Sequence, residues 1–85
     1  MPRLIPAAER LILARALIQA ARDFPLPADG GKYDFSYVAQ VKDLLRQARD
    51  YVKFIPQSAG ASAEVKAEAA RLLKEADQAD REILH

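Results

Sequence analysis

Apolar residues recur along this 85-residue chain at helical spacing, in three separate stretches. In the middle stretch Tyr37, Val41, Leu44, Ala48, Tyr51 and Ile55 follow one another at steps of four and three. Val38, Leu45 and Val52 make a second row beside them. Towards the C-terminus Val65, Ala69, Leu72, Ala76, Ala79 and Ile83 repeat the same steps, flanked by Leu73 and Leu84. A period near 3.5 residues, held over three heptads in two independent segments, is the seam of a helical bundle.

The first stretch is less tidy. Leu4, Ala7, Leu11, Ala14, Ile18 and Ala21 form one row, and Leu13, Leu17, Ala20 and Phe24 form another. Together they cover about half the circumference of a helix, and Ile12 and Ala16 fall among Arg15, Gln19, Arg22 and Asp23 on the polar side. A helix this apolar is expected to be contacted from more than one direction. One way is to lie between the other two helices; the other is to bury part of its surface against another subunit or partner.

Local signals set the boundaries. Pro6 suits a helix start, since its φ is already helical and the first turn needs no donor from it, and Glu9 lies near the positive end of the dipole. Pro25 and Pro27 force an end near Phe24, and Ala28, Asp29, Gly30 and Gly31 complete a loop. Asp34 is a candidate N-cap, with Tyr33 before it and Val38 after it at the spacing of a hydrophobic staple. Pro56 closes the second helix, Gln57 to Ala61 supply a turn, and Ser62 caps the third, with Glu64 in its first turn. The pattern predicts a single all-α domain, residues 1–85: a three-helix antiparallel bundle with helices over about 6–24, 35–55 and 62–84, open to completion by oligomerisation.

Composition narrows the function without naming it. Thirteen Lys and Arg against twelve Asp and Glu leave a net charge of +1, so no global field favours nucleic acid, an anionic membrane or an acidic partner. The charge is only mildly uneven, from five bases and three acids over 1–33 to four bases and six acids over 62–85, which excludes basic and acidic tails alike. No apolar run near the N-terminus exceeds the four residues Leu11 to Ala14, against the roughly 20 a membrane span requires. Arg3, Arg10, Arg15 and Arg22 on an amphipathic pattern suggest an organelle transit segment, but Glu9, Asp23 and the lack of serine there oppose it. With no sorting signal in view, a cytoplasmic location is expected.

Catalytic chemistry is poorly provided for. There is no cysteine, the one histidine is His85 at the end, and Ser36, Ser58 and Ser62 all sit at caps or in loops. Glu68 and Glu75 lie seven residues apart on one face, yet no histidine joins them in the spacing of a di-metal bundle. Three glycines cannot build a dinucleotide fingerprint. The expectation is a protein without catalysis, metal or cofactor.

Two surface patterns remain. On the second helix Lys42, Arg46, Arg49 and Lys53, at steps of four, three and four, draw one cationic line that could follow a phosphate backbone. Asp43 and Asp50 flank it, and Arg46 to Asp50 is an i,i+4 pair, so a solvated face explains it more simply. Glu68 to Arg71, Arg71 to Glu75 and Asp77 to Arg81 are likewise spaced as ion pairs on the third helix. The other pattern is apolar: Leu4, Leu11, Ile12, Leu13, Ala16 and Leu17 on the first helix, with Phe35 and Phe54 near the two ends of the second, which have no place in its seam and are expected to cover the open end of the bundle or, failing that, to anchor a contact. These are the contact candidates of a small adaptor, scaffold or regulatory subunit that meets a protein partner or a second copy. The alternative is a nucleic-acid binder using the four cations. A third reading lays the first helix on a membrane surface with its arginines at the headgroups.

Overall fold

Three α-helices form where the spacing places them: α1 over Ala7–Asp23, α2 over Phe35–Val52 and α3 over Ala63–Leu84. They come from a computed structural model that describes residues 6–84. Leu4 and His85, both singled out above, lie outside the described residues.

Two of the three helices start on a side chain that accepts from a free first-turn amide; α1 does not. Pro6 precedes α1 as its N-cap, not as its first helical residue, and its carbonyl accepts from Arg10 N at 3.0 Å. The Asp34 carboxylate accepts from Tyr37 N at 2.9 Å, and Ser62 Oγ from Val65 N at 3.2 Å, as both caps were expected to do. The hydrophobic staple is not made in the expected way, because Tyr33 is 78 % exposed. A single 3-10 turn at Gly31–Tyr33 leads into the Asp34 cap, entered through Gly30 at φ 83°, in the left-handed region that favours glycine.

The far end of α2 departs from the expected range. The helix stops at Val52, and Ile55–Gln57 form a separate 3-10 turn. Pro56 is the cause, since its ring would meet the carbonyl four residues back, that of Val52, and it biases Ile55 away from α geometry. Ile55 still reaches the core, now from the turn.

The three helices run up, down and up. Arg10 Nη1 at the start of α1 approaches the Tyr51 carbonyl near the end of α2 at 3.5 Å, while the Phe24 and Tyr37 rings at the opposite ends stand 5.9 Å apart. Between α1 and α3 the ion pairs Arg15–Glu68 and Arg22–Glu82 follow the same order along both helices, so these two are parallel. Ala14, Ile18 and Ala21 of α1 meet Tyr37, Val41, Leu45, Ala48 and Val52 of α2 and Ala69, Leu72, Ala76 and Ala79 of α3 in one core. Six of these thirteen buried residues, counting Ile55, are alanine, so the helices approach closely and the core is thin. Leu44 and Tyr51, placed by spacing in the central seam of α2, sit half-buried on its flank, and Leu45 and Val52 of the second row take the centre.

Candidate functional site

The inward row of α1 accounts for only part of its apolar surface. Leu11 and Leu17, two of the contact candidates, pack half-buried against the core, as do Ala7 and Phe24. Ile12 is 63 % exposed and Leu13 38 %, and Ala8, Ala16 and Ala20 are open to solvent around them. Leu13, Ala16 and Ala20 follow one another at steps of three and four with Ile12 beside them, so they make a continuous strip about two turns long. Glu9 and Asp23 close its ends, each seven residues from Ala16 and each exposed. Sequence spacing identified Ile12, Leu13 and Ala16 as contact candidates; it did not mark Glu9 and Asp23 as the ends of the strip, although their shared spacing from Ala16 is visible in it.

Polar contacts line both borders of this strip. Arg15 and Arg22 lie along one edge of α1 and turn towards α3, where Arg15 pairs with Glu68 and Arg22 Nη1 with Glu82 Oε2 at 2.6 Å. Glu68 is also held by Arg71 at 2.9 Å, so it serves two helices at once. At the other edge Arg10 leans on α2. The burial of Ala14, Ile18 and Ala21 sets which side of α1 faces inward, and these exposed ion pairs add little to it. The Arg22 guanidinium first and the Gln78 amide second hold the Glu82 carboxyl below the ordinary carboxylate range.

The two exposed phenylalanines stand apart from the strip and, contrary to the expectation that they cover the open end of the bundle, leave most of their surface in solvent. Phe35 is 91 % exposed at the first position of α2, and Phe54 is 68 % exposed beyond its end, with Lys53 Nζ 5.1 Å from its ring centre. Phe54 also borders a shallow open groove with Ala7, Arg10, Tyr51 and Ile55. Leu26, between the two loop prolines, is a further exposed apolar residue near the Phe35 end, one that spacing had not singled out.

The cationic line of α2 is not left as a free stripe. Arg49 turns to α3, its Nε donating to Asp77 Oδ1 at 3.1 Å and its Nη2 lying 3.7 Å from Asp80 Oδ2. Arg46 pairs with Asp43, not with Asp50 as the i,i+4 spacing suggested, and Lys53 takes Asp50 at 3.1 Å. Arg46, with the Gln47 amide second, holds the Asp43 carboxyl below its usual range. Lys42 is exposed on the same side of α2. Three of the four cations thus face carboxylates within the chain, which removes most of the net positive charge a phosphate backbone would meet.

No group of three or more metal-ligating side chains gathers among the described residues, and no helix among them is long and apolar enough to cross a membrane. Compared with known protein families, curated proteins and solved structures, the chain matches none.

Proposed function

We propose that this chain is a non-enzymatic protein-interaction module that docks on another protein chain through the outward face of α1. The observation that carries the reading is the exposure of Ile12 and Leu13 on a strip otherwise built of alanine. A long side chain beside small ones gives a knob next to a shallow trough, the relief a second helix can pack into. The thin alanine core adds to the argument, since a small domain with little internal burial gains more, in proportion, from surface it shares.

Light scattering over a wide concentration range, combined with a pull-down from the source cells, tests this reading. The expected result is a discrete complex, of two copies or with another protein, that is lost in the Ile12→Glu and Leu13→Glu variants while their helical circular dichroism is kept. A monomer at all concentrations that retains nothing in an Ile12-dependent way overturns it. The nucleic-acid reading finds no matching support, because three of the four cations it needs are held by Asp43, Asp50, Asp77 and Asp80.

A further inference from the structure

The charges at the ends of the α1 strip restrict what can lie on it. We infer that its occupant is a basic amphipathic helix from a different protein and not a second copy of this chain; the inference rests on α1 being the docking face. Glu9 and Asp23 lie fourteen residues apart with Ala16 midway, so a carboxylate stands about 10 Å to either side of the apolar centre.

A two-fold contact between two copies of the strip is disfavoured by this arrangement. If two α1 helices pair antiparallel about Ala16, Glu9 of one copy comes level with Asp23 of the other, at both ends. If they pair in parallel, Glu9 meets Glu9 and Asp23 meets Asp23. Either sense sets like charges opposite one another at the rim of an interface with only alanine, leucine and isoleucine at its centre.

A second feature points the same way. Asp23 belongs to the last turn of α1, where the carbonyl end of the helix dipole disfavours a carboxylate. Its two oxygens are both met by the Gln19 Nε2 amide at 3.0 Å, a neutral donor on the same helix, while the arginines of α1 that could offset it turn to α3. A cation placed over this end from outside meets the Asp23 charge and the helix carbonyls together. The complementary partner is therefore a helix with small and branched apolar residues over two turns and a Lys or Arg about two turns to either side of their centre. Helices of this kind are read by their i, i+3, i+4 and i+7 anchors, and their flanking charges fix orientation.

The test uses the full chain and two labelled synthetic helical peptides of about 20 residues. They share a Leu/Ala stripe and differ only in having Lys or Glu seven residues to either side of the central alanine. Fluorescence anisotropy at low salt is expected to show the Lys peptide binding about three- to ten-fold more tightly than the Glu peptide, the range for two rim ion pairs. The preference should shrink with added salt and vanish in the double variant Glu9→Gln, Asp23→Asn, which removes charge without opposing the start of α1.

Equal affinity for the two peptides, no binding of either, or a preference that survives the double variant overturns the inference. A wild-type dimer that Ile12→Glu dissociates also overturns it, while leaving α1 as a docking face with the second copy as its occupant. If Ile12→Glu alters neither peptide binding nor any complex in the pull-down, the docking face itself is lost, so the two failures are distinguishable.

Discussion

The helices α1 and α2 are of nearly equal length and divide their apolar residues differently. In α2 the buried line Tyr37, Val41, Leu45, Ala48 and Val52 is opposed by a face of paired charges, with Asp43 bound to Arg46 and Asp50 to Lys53. In α1 the buried line Ala14, Ile18 and Ala21 is opposed by Ile12, Leu13, Ala16 and Ala20. Apart from Phe35 at its first position, α2 meets solvent through ion pairs, whereas α1 leaves a strip of hydrocarbon in water. The contrast teaches that a bundle needs one apolar stripe per helix, and that a second stripe asks for an explanation outside the bundle.

The contrast breaks most visibly at single leucines. Leu45→Ala or Leu72→Ala empties part of the core and is expected to cost about 2–5 kcal/mol in urea unfolding, whereas Leu13→Ala or Ile12→Ala on the outward strip should stay within about 0.5 kcal/mol. If the Leu13 and Leu45 substitutions proved equally damaging, α1 would be core on both sides and the comparison would collapse.

A smaller effect separates the helix starts. Asp34→Ala, which removes the acceptor at the head of α2, should lower stability by about 1 kcal/mol, and Ser62→Ala at α3 by a similar or smaller amount. The same thermal melts should show Pro6→Ala at α1 closer to neutral, since Pro6 caps with no side-chain bond.

The smallest expected effect is with pH. Because Arg22 and Gln78 depress the folded-state pKa of Glu82, and Arg46 and Gln47 that of Asp43, the unfolded chain binds protons at these sites more readily than the folded one. Their contribution to stability is complete above the ordinary carboxylate range and is lost as pH falls through the depressed values. Melting points measured down an acid series should therefore drop in the wild type. Arg22→Gln, by releasing Glu82, should make that drop shallower.

Much of this fold was legible in the chain because it rests on short-range chemistry. Pro25, Pro56, Asp34 and Ser62 act within a few residues of themselves, and the helix boundaries they imply lie within one residue of those found, apart from the end of α2. There Pro56 marks the stop, but its ring excludes the carbonyl of Val52 four residues back, so the helix ends three residues before Ile55 and not directly before the proline; the hydrophobic position of Ile55 was right and its backbone was not.

Rotation was harder to read. Nothing in the spacing of Lys42, Arg46, Arg49 and Lys53 says that Arg49 turns inward to Asp77 and Asp80, because that depends on how α2 is rotated against α3. The same holds for Arg15 and Glu68, fifty-three residues apart. Leu11 and Leu17 were grouped with Ile12 and Leu13 for one reason, apolar surplus, and only the packing of the neighbours separates the half-buried pair from the exposed one.

The alanines of the α1 core have one further consequence, which concerns entropy. Ala14 and Ala21 are fully buried, and a methyl side chain has no rotamers to exchange and leaves its helix little room to slide or turn against its neighbours. The outward strip is thus displayed on a backbone already held in its final shape. A helix arriving there would meet a preorganised backbone, so the ordering cost on this side would be confined to side chains such as Ile12 and Leu13.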